Sequence, residues 1–173
     1  MGRAVNNKLL LAPSAIGAHQ AAATEDTVAA IAQLLDYVTT YPNDGILYRK
    51  SYMILASHAD AGFLNESRAR SRSGTHTFLS ENEPKPKLNG PVLTIVQIIK
   101  TVMASAAEAK MAALFVTAKK IIPLRHTLIE MVWPQPQTLI QTDNSAALGF
   151  TNKKIVSKVT KSSDMKLWWL RDS

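Results

Sequence analysis

Val92-Leu93-Thr94-Ile95-Val96-Gln97-Ile98-Ile99-Lys100-Thr101-Val102 is followed, after one methionine, by Ala104-Ser105-Ala106-Ala107-Glu108-Ala109-Lys110-Met111-Ala112-Ala113-Leu114, and the change of side-chain type between the two runs decides the fold class. The first run is rich in β-branched residues, which suit a pleated surface, and it predicts a strand over most of 92–102. The second continues to Lys120 in alanine, methionine and leucine, all good helix formers. Pro123 predicts a break there, or the start of a second helix running to about 131. A strand feeding a helix with an apolar stripe implies an α/β layer structure.

Working outward, Trp133-Pro134-Gln135-Pro136 ends the helical region, and 138–142 predicts a buried strand with Asp143 at its tip. Short helices are expected over 144–150 and 161–171, the latter carrying Asp164. Upstream, 81–91 holds three prolines and a glycine and predicts a loop. Residues 75–79 predict a short strand, and the polar, basic stretch 65–73 a connection. Residues 46–48 and 52–58 predict two short extended runs, which puts Asp60 at or just past a strand end. Val28, Ile31, Leu34, Leu35 and Val38 recur at helical spacing behind Thr24, a suitable N-cap, so 24–39 predicts an amphipathic helix. Tyr41-Pro42-Asn43-Asp44-Gly45 is the strongest turn signal. It divides the chain into a helical segment, 1–44, and a main domain, 45–173, with a mixed central sheet flanked by helices.

The 173-residue chain carries a formal charge of +7 and a pI near 9.7 with only 19% charged residues, so the basic excess is local. Arg68, Arg70 and Arg72 form one cluster, and Lys153, Lys154, Lys158, Lys161 and Lys166 another. A polyanionic partner would account for both, because neutralised phosphates release counterions; a solvated basic surface is the plain alternative. Cysteine is absent, which excludes disulfides, thiolate zinc sites and a cysteine nucleophile. No run approaches the roughly 18 apolar residues of a membrane span. The opening 1–23 only faintly imitates a signal peptide, since Pro13 and His19 break its apolar run. His58, His76 and His126 are scattered and no Gly-x-Ser-x-Gly occurs, so a serine hydrolase finds little support.

Asp60 and Asp143 are each expected at a strand end and Glu108 one turn into a helix, where carboxylates could serve metal-assisted chemistry; Asp164 stands near the start of the last expected helix. Phosphodiester hydrolysis by metals uses two hard cations about 4 Å apart, one activating water and one stabilising the leaving oxygen. Magnesium takes oxygen ligands and keeps several waters, so a few carboxylates converging from different elements suffice. If the strands ending at Asp60 and Asp143 are neighbours, those two and Glu108 meet at one edge. Each residue also has a plain structural role: Asp60 can serve a turn or cap after its strand, Asp143 or Asp164 a helix N-terminus, and Glu108 can face solvent.

Read together, His58-Ala59-Asp60-Ala61-Gly62, Ala69-Arg70-Ser71-Arg72-Ser73-Gly74, Met103-Ala104-Ser105-Ala106-Ala107-Glu108-Ala109, Gln141-Thr142-Asp143-Asn144-Ser145 and Asp164-Met165-Lys166-Leu167-Trp168-Trp169-Leu170-Arg171 resemble, in order and rough spacing, the successive blocks of the ribonuclease H domain of copia-type retrotransposon polyproteins. The resemblance implies a ribonuclease H-like fold over 45–173, preceded in 1–44 by the tail of the reverse transcriptase and its connection. It implies that Asp60, Glu108, Asp143 and Asp164 bind two magnesium or manganese ions and that the activity is cleavage of the RNA strand of an RNA/DNA hybrid. The implied partners are that hybrid and the reverse transcriptase portion of the same polyprotein, with no membrane and no small-molecule cofactor. The implied setting is intracellular, in a cytoplasmic virus-like particle or the nucleus. Hybrids are recognised through backbone shape and 2′-hydroxyls, so Arg70, Arg72, Ser73, Asn144, Lys158 and Lys161 are the expected nucleic-acid contacts.

The chain departs from the family pattern in three places. Lys110 stands where an acidic residue is common, 158–163 keeps only lysines as its basic residues, and the sequence stops at Ser173 before the family's next strand, which implies a C-terminally truncated fold. The second expectation is therefore a catalytically inactive nucleic-acid-binding remnant.

Overall fold

The computed structural model describes residues 6–143, and the chain divides into two compact units, Met1–Tyr48 and Arg49–Ser173. Asn144, Lys158, Lys161 and Asp164, with the helices expected at 144–150 and 161–171, lie outside the described residues.

In the first unit a 3-10 turn, Asn7–Leu10, leads into α1 (Leu11–Ala18), and α2 spans Glu25–Thr40. Thr24 caps α2 as expected: its N–H donates to Thr27 Oγ1 at 3.1 Å. Glu25 and Asp26 put negative charge at the positive end of the helix. Asp44 accepts hydrogen bonds from Lys8 Nζ at 2.8 Å and Tyr37 Oη at 3.1 Å, which ties the turn after α2 back to the start of the unit.

The second unit is α/β. Its strands are β1 (Ile54–Glu66), β2 (Arg70–Ser80), β3 (Pro91–Ile99) and β4 (Leu139–Gln141), in the order β3-β2-β1-β4. β1, β2 and β3 pair antiparallel, and β4 joins β1 in parallel. A parallel partner needs a crossover, which α3 (Ala106–Glu130) supplies. α3 lays Ala109, Ala112 and Ala113 against Ala61 and Ile99, and Met111 and Leu114 against Ala59. The small side chains on both surfaces allow close approach. Between them Thr75 and Thr117 pair through their buried hydroxyls at 2.6 Å, and within the sheet Ser57 and Thr77 do so at 2.9 Å.

Several sequence expectations are corrected. The segment 46–53 forms no strand, and β1 runs on through Asp60 to Glu66, so Asp60 lies in mid-strand. The stretch 65–73 is not a loop: a three-residue turn, Ser67–Ala69, joins β1 to β2, and Arg70, Arg72 and Ser73 belong to β2. Polar side chains sustain strand structure here by satisfying the backbone across a bulge. Asn65 Oδ1 accepts from Arg72 N at 3.1 Å, and Ser71 Oγ accepts from Leu64 N at 3.2 Å. A Cβ at Gly62 would lie 2.2 Å from Asn65 Nδ2, so a larger residue there would displace the Asn65 side chain.

α3 continues through Pro123 without ending. Proline removes one intrahelical donor, but the stripe from Ala109 to Ile121 is already anchored on the sheet, and Thr127 Oγ1 donates to Pro123 O at 3.0 Å. β4 is shorter and less buried than expected, with Leu139 39% exposed; among the described residues it lies at the sheet edge. Among the described residues no helix is long and apolar enough to cross a membrane.

Candidate functional site: a lysine between two carboxylates

The last registered pair between the parallel strands β1 and β4 is His58 with Gln141. Asp60 and Asp143 each stand two residues beyond that pair. Asp60 shares the face of His58 by strand alternation, and Asp143, in the bend after β4, lines the same groove. Strand adjacency thus brings together two acids that are distant in sequence.

Two side chains hold the return segment that feeds β4. Gln135 donates from Nε2 to Met53 O at 2.8 Å and accepts from Leu55 N at 2.9 Å, docking the segment on the start of β1. Arg125, on α3, donates to the carbonyls of Pro136 and Gln135 and to Thr138 Oγ1. These residues set where Asp143 emerges, and neither carries a motif that would single it out in the sequence.

Lys110 fills the space between the acids. Its Nζ lies 3.4 Å from Asp60 Oδ1 and is hydrogen-bonded to Asp143 Oδ2. The bond to Asp143 holds the amine above its ordinary value against a lowering by desolvation, and the Asp60 charge adds to the rise. The repulsion expected of clustered carboxylates is met here by a positive charge on the protein itself.

Glu108 plays another part. Its Oε2 accepts from Ala104 N at 2.7 Å, while Ser105 Oγ accepts from Glu108 N at 3.1 Å. The pair satisfies donors at the α3 N-terminus in the manner of a capping box. Among the described residues, no group of three His, Cys, Asp or Glu side chains is arranged to hold a metal ion. Asp60 and Asp143 meet as expected of neighbouring strands; Glu108 does not complete a trio with them.

The carboxylates lie at one end of an open groove of about 840 Å³ on the sheet, lined also by His58, Gly74, His76 and Gln141. His58 and His76 are cross-strand partners, so two of the histidines that look scattered in the sequence come together. Both rings flank the buried Phe78, with centroids 5.4 and 5.3 Å away. His76 Nε2 lies 3.1 Å from Asn89 O and therefore carries the proton. Burial pushes His76 below its ordinary value, the bond to Asn89 opposes this, and His58 adds to the lowering. The buried Nε2 of His58 meets no hydrogen-bond partner among the described residues.

The expected nucleic-acid contacts on β2 need correction. Arg72 is 4% exposed, with its Nε 2.5 Å from Glu66 Oε1. Ser73 is fully buried and donates to Gln97 O at 3.4 Å. Alternation alone cannot reveal that this part of the sheet buries polar residues on both faces. Arg70 is half-buried, donating from Nε to Ser67 O at 3.2 Å, and is the one of the three left partly open to solvent.

Comparison with protein-family models, with curated proteins and with solved structures finds no match for this chain.

Proposed function

We propose that the chain is a metal-dependent ribonuclease H-type hydrolase, cleaving the RNA strand of RNA/DNA hybrids as part of a retroelement polyprotein. The observation that carries this reading is the convergence of Asp60, in mid-strand of β1, and Asp143, just past the end of β4, on the Lys110 ammonium. The mixed sheet, with three antiparallel strands and one parallel, is compatible with a ribonuclease H-like fold. The sequence blocks that resemble that domain support it further.

In donor chemistry the Asp60 and Asp143 carboxylates fit a hard divalent cation. They would hold magnesium or manganese there, and a second ion would call on Glu108, released from its cap, and on Asp164. When bound, the metal supplies water activation and stabilisation of the leaving oxygen. The remaining work falls to the chain: β1 carries Asp60, the end of β4 leads to Asp143, and the groove beside them offers room for a backbone with a 2′-hydroxyl.

The second reading, an inactive nucleic-acid-binding remnant, is favoured by one observation: Lys110 already contacts both carboxylates and offsets one of their two negative charges. Cleavage of a labelled hybrid by the full chain, in magnesium, in manganese and in chelator, separates the two readings. Metal-dependent cutting lost in both Asp60→Asn and Asp143→Asn is expected of the hydrolase. Salt-sensitive hybrid binding without turnover selects the remnant.

A further inference from the structure

We infer that the Lys110 ammonium is an internal cation that competes with divalent metal for the Asp60 and Asp143 carboxylates, so that metal enters this pair only by displacing the lysine. The inference rests on reading the two aspartates as cation ligands and does not require that the chain cut nucleic acid.

Three observations carry it. Lys110 Nζ contacts a carboxylate oxygen of each aspartate, so one positive centre of the chain already serves both. Its side chain is 22% exposed, against 70% for Asp60 and 64% for Asp143, so the aliphatic stem is largely covered while the ammonium meets both carboxylates at the surface. Its neighbours Ala109 and Met111 are buried against the sheet, which fixes the backbone from which it reaches. With Glu108 bonded to Ala104 N, two carboxylates and one ammonium leave a single net negative charge to attract a doubly charged ion. Displacement is sterically open, because an ammonium on a four-carbon stem is a mobile, strongly hydrated point charge.

The test is manganese binding to the full-length chain without nucleic acid, measured by water-proton relaxation, for the native protein and Lys110→Gln. Removing one unit charge at this range is expected to tighten manganese binding about tenfold or more. Lys110→Arg should stay as weak as native, and adding Asp60→Asn to Lys110→Gln should abolish the gain. Equal affinity in native protein and Lys110→Gln overturns the inference, as does a gain that survives both Asp60→Asn and Asp143→Asn.

A readout on the native chain guards against a variant that fails to fold. Acylation of Lys110 by an N-hydroxysuccinimide ester, followed by peptide mass spectrometry, should accelerate as manganese rises. A rate that stays flat through saturation of the aspartate pair overturns the inference. Failure of the nuclease reading looks different: Lys110→Gln that binds manganese tightly yet cuts no hybrid removes the enzyme and leaves the displacement intact.

Discussion

Asp60 Oδ1 lies 3.4 Å from Lys110 Nζ, linking the sheet's β1 strand to the start of the helix packed against it. Asp60 is largely exposed, so the contact is screened by salt and adds little to folding. Its weight lies in electrostatics: it sets the charge of the candidate site through a residue whose backbone belongs to the core helix.

Glu108 can be tested as cap and as metal ligand separately. Ser105→Ala should cost about 1 kcal/mol by removing the acceptor for Glu108 N. Glu108→Gln keeps an oxygen for Ala104 N, so the melting temperature should barely move. Under the hydrolase reading that variant nevertheless loses hybrid cleavage. Full cleavage at native stability would remove Glu108 from the site.

The Thr75 and Thr117 hydroxyls meet where α3 packs on the sheet. Thr117→Val alone strands a buried hydroxyl and should destabilise by about 1–3 kcal/mol in urea unfolding. Thr75→Val with Thr117→Val should recover most of that loss, because neither side then buries an unsatisfied group. A double variant worse than the sum of the singles would contradict the pairing.

Gln135 joins the return segment to the start of β1 by two hydrogen bonds. Gln135→Ala should lower stability by about 1–3 kcal/mol, since it leaves the buried Leu55 N–H unpaired. Amide exchange at Leu55 should accelerate more than exchange in the centre of β2. Uniform acceleration across the sheet would mean that Gln135 acts on global folding and not on the docking of β4.

His76 predicts a pH dependence. Burial lowers its value in the folded state below the ordinary 6.5, so as pH falls through that range the unfolded chain takes up the proton first. Stability should therefore be lost as pH drops from 6.5 toward the folded-state value and be fully present above 6.5. Thermal melts at successive pH values should show this slope in native protein and a flatter one in His76→Gln. An unchanged slope in the variant would assign the loss to other groups.

The sequence by itself determined the type of several elements and the candidate carboxylates. The β-branched run at 92–102 became β3, the alanine-rich run became α3, Thr24 capped α2 and a short strand delivered Asp143. These were legible because propensity, capping and turn chemistry act over a few residues. The tertiary structure decided the rest. Polar residues of 65–73 became strand because bonds across the hairpin satisfied their backbone, and Arg72 left the surface because Glu66 met it inside the sheet. α3 passed through Pro123 because its packed stripe was already anchored. Only the parallel register of β1 and β4 brought Asp60 level with Asp143, and only the packing of α3 put Lys110 between them. Contacts between residues far apart in sequence depend on which surfaces bury one another, and no local pattern encodes that choice.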